Sequence, residues 1–333
     1  MHSISNINSK FLLAAQQGNI DKLKKFLTAG VNVNVDSNKE TALHLSARNG
    51  RSDAIRILVN AGADVTLCNS DNLTASQIAY SENNQDIGKL LDFISLAYKA
   101  EKFAKDVYEP TNDWKDLIEY RDLWKKKFDN LQGHIISNIK DIYKNKPQIN
   151  IKESTIYALR LAELFVATKV AIDTKQNKGL CAEMSRASYC YLLTQIKEKD
   201  LFNIVQIHIV SKENRKISHS FIVFNLSCGA QLNDLTTWGN AIVCDSSHNR
   251  KGPAVYFVEN APLTSAIALI ENESFYITNS FDRRPRINGK VARLLNDYWS
   301  NWIAKISQLY INTATPLHES SINAPFIETP RLG

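Results

Sequence analysis

The sequence predicts a multidomain α+β chain: an all-α solenoid of short helix pairs at the N-terminus, followed by a mixed α+β domain. Three observations carry this reading. A pattern returns every 32–33 residues over roughly the first hundred residues. Aromatic and aliphatic residues then recur at helical spacing, and beyond residue 178 short β-branched apolar runs take over. With 333 residues, 44% hydrophobic and 22% charged, the chain has ample apolar material for buried cores.

The repeat is explicit. Leu13-Ala14-Ala15-Gln16-Gln17-Gly18 matches Leu45-Ser46-Ala47-Arg48-Asn49-Gly50, and Ala29-Gly30-Val31-Asn32-Val33 matches Ala61-Gly62-Ala63-Asp64-Val65. A third copy starts at Thr74-Ala75-Ser76-Gln77-Ile78-Ala79 and answers Thr41-Ala42-Leu43-His44-Leu45-Ser46. One helix pair cannot bury its apolar stripe alone, so stacked units share a core. Ala15, Ala47 and Ala79 allow close helix approach, and Gly30 and Gly62 fall where helices end and a positive φ is needed. The period, the Thr-Ala-Leu-His start and the Ala-Gly-Ala-Asp-Val turn resemble the ankyrin repeat over residues 8–97. The resemblance implies a protein-binding array, with His44 making structural hydrogen bonds between turns.

Residues 98–150 read as a helical connector. Trp114, Leu117, Tyr120, Leu123, Trp124 and Phe128 lie three and four apart and predict one buried helix face. Pro110 breaks the chain before them, with Thr111 or Asn112 as the N-cap of the helix that follows.

The chemistry-bearing segment starts at Gly179-Leu180-Cys181, which opens a helical stretch. A cysteine at a helix N-terminus meets unpaired N–H groups and the positive end of the dipole, the setting that nucleophilic thiol chemistry needs. Two strand-like runs follow, Phe202 to Val210 and Ile217 to Phe224; by the period of two, His219, Phe221 and Val223 share a face of the second. A third run, Ala241 to Ser246, carries Asp245 at its end. Cys181 as nucleophile, His219 as base and Asp245 as the group that orients the imidazole form the candidate catalytic set. His208 and His248 compete with His219, and Asp234 competes with Asp245. Glu183 reads as a first-turn helix charge. Cys190 and Cys244 read as small buried hydrophobes, and Cys228 falls in a loop.

The order of cysteine on a helix start, histidine on a strand and aspartate after the next strand, with Trp238 shortly before the acid, resembles the papain-like and transglutaminase-like superfamily. The resemblance implies a papain-like cysteine protease-like domain over residues 151–314. By its analogy Gln176 donates to the oxyanion, with Asn177 competing for that role. An ankyrin array joined to such a domain also resembles type IV effectors of intracellular bacteria such as Legionella. That resemblance implies export through a type IV system without a signal peptide, residence in the host cytosol or nucleus, host protein partners bound by the array, and a protein substrate. Residues 315–333 then form a flexible C-terminal tail.

The exclusions are as informative. Five cysteines without a CxxC pair make neither a disulfide framework nor a thiolate zinc site. The net charge of +6 is interspersed, which argues against nucleic acid. The most apolar stretch, residues 156–172, contains Arg160, Glu163 and Lys169 and so reads as an amphipathic helix and not a membrane span. No GxGxxG, Walker loop, HExxH or GxSxG occurs, and a monomer without cofactor or metal is expected.

Overall fold

Gly30 (φ 83°) and Gly62 (φ 88°) close two successive helix pairs in the left-handed conformation, as their spacing predicts. The pairs are α1 (His2–Gln17) with α2 (Ile20–Thr28), and α3 (Ala42–Arg48) with α4 (Ser52–Asn60). A third pair is α5 (Ala75–Ser81) with α6 (Gln85–Val107). In this computed structural model the described residues are 2–282, except 112, 144–150, 176–177, 196–203, 215–217, 228–229, 248–253, 260, 262–264 and 272–274. The tail at 315–333 lies outside them.

Two threonines start the second and third pairs in the same way. Thr41 and Thr74 each cap a helix through a reciprocal box, with His44 and Gln77 returning the bond to the cap backbone. The hairpin of β1 (Asp36–Ser37) and β2 (Glu40–Thr41) leads into the first box. The first helices form one layer, α1 on α3 on α5, in which Ala15, Ala47 and Ala79 have no exposed surface. A larger side chain at these positions would hold the layer apart.

Helix α6 does not stop where the repeat does. It runs 23 residues, past residue 98, and packs against α9 (Cys181–Gln195). Tyr108 follows it, then β3 (Glu109–Pro110), which pairs in parallel with β4 (Lys178–Gly179). The helix start here differs from expectation. Asp113, and not Thr111 or Asn112, caps the 3-10 turn Trp114–Leu117, accepting from the Lys115 N–H at 2.9 Å. Thr111 instead bonds Asp116, and Asn112 lies outside the described residues.

Helices α7 (Ile118–Tyr143) and α8 (Ile151–Thr174) form a pair, and α8 also touches α9. The aromatic stripe of α7 is only half buried. Leu117, Tyr120 and Trp124 are in the core, whereas Trp114 is 58% and Leu123 38% exposed. Positions 117, 120 and 124 share a helix face; Leu123 lies a quarter-turn aside and Trp114 belongs to the tighter 3-10 turn.

The sheet is antiparallel in the order β8-β7-β6-β5-β9: Val255–Phe257, Ile242–Cys244, Ser218–Phe224, Val205–Ser211 and Phe275–Asp282. The last strand has no counterpart in the sequence-based expectation. Val205, Ile207, Ile209, Phe221, Val223, Val243 and Tyr256 form a core with Trp238 and with Ile267 of α10 (Ala266–Glu271). Helix α9 lies against β6. The result is an N-terminal helical repeat array joined to a mixed helix-and-sheet region through the shared helix α6.

Candidate active site

Cys181 is the first residue of α9. Leu180 precedes it and has no side-chain oxygen with which to cap the helix. The approach to this turn is fixed by close packing. A Cβ on Gly179 would stand 2.8 Å from the Tyr108 ring, and Thr111 N–H donates to the Gly179 carbonyl at 3.0 Å. Cys181 Sγ lies 4.0 Å from the Ser218 carbonyl oxygen, at the head of β6.

His219 is the next residue of that strand. Its ring stacks at a tilt on Phe221, two positions on, with centroids 6.0 Å apart, as the period-two reading requires. Its Nε2 lies 2.7 Å from Asp245 Oδ2. That leaves Nδ1 for the hydrogen bond with the Cys181 thiol. Burial pulls the imidazole pKa down, but the Asp245 charge and hydrogen bond together with the Cys181 thiol outweigh it and raise it to about 10.

Asp245 follows β7 and is fully buried. Its N–H donates to the Ala254 carbonyl at 2.8 Å, which carries the β7–β8 ladder one step further. The Ser247 hydroxyl donates to Oδ1 at 3.3 Å. A buried carboxylate held this way orients one imidazole nitrogen and favours the charged ring. The geometry therefore brings Cys181, His219 and Asp245 together.

Asp234 and His208 are occupied elsewhere. Asp234 caps the 3-10 turn Leu235–Thr237, accepting from Thr236 N–H at 3.1 Å. His208 lies on β5 opposite Ser220, with Nδ1 2.7 Å from its hydroxyl, and burial lowers its pKa. Cys190 and Cys244 are buried, and burial pushes both thiols up to about 12, so neither is a thiolate at neutral pH. Gln176, Asn177, Cys228 and His248 lie outside the described residues. Glu183 is more than a surface helix charge: its buried carboxylate is held by Arg121 of α7 at 2.8 and 3.2 Å and approached by Arg186 at 3.6 Å. Two residues next to the acid also escaped sequence reasoning. Ser246 bonds Ser188 of α9, and Ser188 donates to the Ala100 carbonyl of α6 at 3.2 Å. The run Asp245-Ser246-Ser247 was the available signal, since short hydroxyls beside a buried acid commonly supply its hydrogen bonds.

Among the described residues no group of three His, Cys, Asp or Glu side chains gathers as a metal site, and no helix is long and apolar enough to cross a membrane.

The family model described as ankyrin repeats (3 copies) matches residues 11–101. The Notch-regulated ankyrin repeat-containing protein of Homo sapiens is 34% identical over 82 residues, 23% of this chain and 72% of that protein. The chain belongs to the ankyrin-repeat family. The counterpart from Xenopus laevis is 32% identical over 90 residues, 26% of this chain and 79% of that protein. A putative ankyrin repeat protein of Escherichia coli (strain K12), YahD, is 42% identical over 64 residues, 19% of this chain. The chain spans about a third of YahD, 32% of its length. Ankyrin repeats imply protein–protein interaction, and within the ankyrin array His44 has the structural role expected. Its Nδ1 bonds Thr41, its Nε2 lies 3.0 Å from the Leu67 carbonyl of the next turn, and burial lowers its pKa.

Proposed function

We propose that the chain is a thiol enzyme of papain-like type that acts on a protein recruited by its ankyrin array. The observation that supports this best is the relay from the first residue of α9 through His219 to a buried carboxylate, with Nε2 and Oδ2 2.7 Å apart. In this reading the Cys181 thiol passes its proton to His219 Nδ1, and the thiolate attacks a substrate carbonyl carbon. The oxyanion forms beside the Cys181 N–H at the helix start, with Gln176 or Asn177 as the side-chain donor. His219 returns the proton to the leaving amine, and water then hydrolyses the thioester. Hydrolysis is the first choice because it needs only water as acceptor; deamidation, transamidation or acyl transfer runs through the same acyl-thiol. The domain limits that accompany this reading are 8–97, 98–150, 151–314 and 315–333. A role as a type IV effector in the host cytosol or nucleus belongs to the same proposal and rests on the architecture.

A second reading rests on the ankyrin family itself: a non-catalytic scaffold that holds partner proteins. One experiment separates the two. The full chain is treated with iodoacetamide across about pH 5 to 9, and each modified cysteine is identified by mass spectrometry, with and without His219→Ala. Selective alkylation of Cys181 below the free-thiol range of about pH 8.5, lost in the variant, supports the enzyme. A Cys181 no faster than Cys68 supports the scaffold.

A further inference from the structure

The strand nearest the acid is sealed by a residue of the ankyrin array. Among the described residues strand β8 is at the edge of the sheet, so one side of its backbone is not paired with another strand. Asn60, the last residue of α4, fills that side. Its Oδ1 accepts the Phe257 N–H at 2.6 Å, and its Nδ2 donates to the Glu259 carbonyl at 2.9 Å and the Phe257 carbonyl at 3.4 Å. A primary amide presents the acceptor and donor that a neighbouring strand would present. Arg56, one helical turn earlier, lies over the Phe257 ring at 5.5 Å and pairs with Glu259 at 3.3 Å.

What β8 holds in turn is the acid. Its register with β7 is Ile242 on Phe257, Val243 on Tyr256 and Cys244 on Val255; the next step is the Asp245 N–H on the Ala254 carbonyl. From the other side α6 fixes the same segment. The Cys244 thiol donates to the Ala97 carbonyl at 3.5 Å, and Ser246 is tied through Ser188 to the Ala100 carbonyl. The residues before and after Asp245 are thus anchored on one ankyrin helix, and the strand beside it on another.

We propose that Asn60 is a positioning residue for the Asp245 carboxylate, acting through β8, so that the ankyrin array is part of the frame of the thiol site as well as a recruiting surface. This rests on the thiol-enzyme reading. An aspartate without a fixed β8 loses its backbone tether and with it the 2.7 Å bond to His219. The titratable groups that act on His219 are Asp245, Cys181 and, from β5, His208.

The test compares the pH profile of Cys181 alkylation by iodoacetamide in the full chain, its Asn60→Leu variant and its Asn60→Asp variant. Asn60→Leu removes both halves of the clamp. Asn60→Asp keeps the acceptor for the Phe257 N–H and loses the donor. With Asn60→Leu, alkylation at about pH 6 slows roughly tenfold, the factor that one unit of pKa carries, and Asn60→Asp falls between it and the parent. A lower melting temperature with an unchanged profile overturns the role, because a merely structural contact moves only stability. If Asn60→Leu does not fold, Asn60→Asp decides on the same criterion. A parent chain without any His219-dependent limb sinks the enzyme reading and this inference together. A normal parent profile that both variants retain sinks this inference alone.

Discussion

Two histidines, His44 and His219, stand 219 − 44 = 175 residues apart in the chain, and their surroundings give them opposite chemistry. His44 stands among neutral partners, the Thr41 hydroxyl and the Leu67 carbonyl, and burial holds its pKa below 6.5. His219 is partly buried, but it faces a carboxylate, and its pKa is raised to about 10. The lesson is that burial alone does not decide the charge of an imidazole; the charge of the group opposite does. In the ankyrin array the ring is a neutral spacer that satisfies backbone groups. In the sheet it faces a buried carboxylate that favours its charged form, and it lies beside the Cys181 side chain.

That contrast fixes opposite pH dependences. The folded pKa of His219 lies above its ordinary value, so its contribution to stability is complete below about pH 6.5 and disappears as pH rises through about 10. His44 has a lowered pKa, so its contribution is complete above about pH 6.5 and is lost in acid as the ring must charge.

The strongest way to break the comparison is His219→Ala, which should slow Cys181 alkylation at about pH 6 by a hundredfold or more, the scale of acid–base assistance; an unchanged rate would make His219 as inert as His44. Asp245→Asn should return the ring toward 6.5 and move the limb of the alkylation profile by one or more pH units, roughly tenfold in rate at a fixed pH. NMR titration of the His219 ring reports the same shift directly. Gly179→Ala drives a Cβ toward the Tyr108 ring, and should cost about 1–3 kcal/mol in denaturant unfolding. His44→Ala should cost about 1–2 kcal/mol and flatten the acid side of stability against pH, while Cys181 keeps its profile. At the bottom of the scale, breaking the exposed Lys102–Asp106 pair by Lys102→Ala should change stability by less than about 0.5 kcal/mol.

Much of this was legible in the residues because it is local. A repeat with Thr-Ala-Leu-His and Ala-Gly turns specifies its caps and corners within a few positions, and His44 follows from that motif. Cys181 at a helix start follows from Gly179 and the helical pattern after it, His219 from alternation along β6, and Asp245 from its place at the end of the apolar run that forms β7. What escaped is held together at long range. Strand β9 reads Phe-Tyr-Ile-Thr-Asn-Ser-Phe-Asp, without a continuous apolar alternation, and exists through its pairing with β5. Glu183 is buried because Arg121, 62 residues upstream, arrives on another helix. Trp114 stays exposed because a 3-10 turn takes it out of the phase of α7. No spacing along the chain announces such partners.

Helix α6 has one more consequence, for how the molecule comes apart. Its buried residues Ile87, Leu91 and Ile94 precede Ala97, Ala100 and Ala104 on one unbroken rod, the earlier ones beside α5 and the later ones beside α9 and the sheet. Neither half can fray without unwinding a helix that the other half needs. Heat should therefore melt the ankyrin array and the sheet in a single calorimetric transition, where a repeat array tied on by a loose linker would show two.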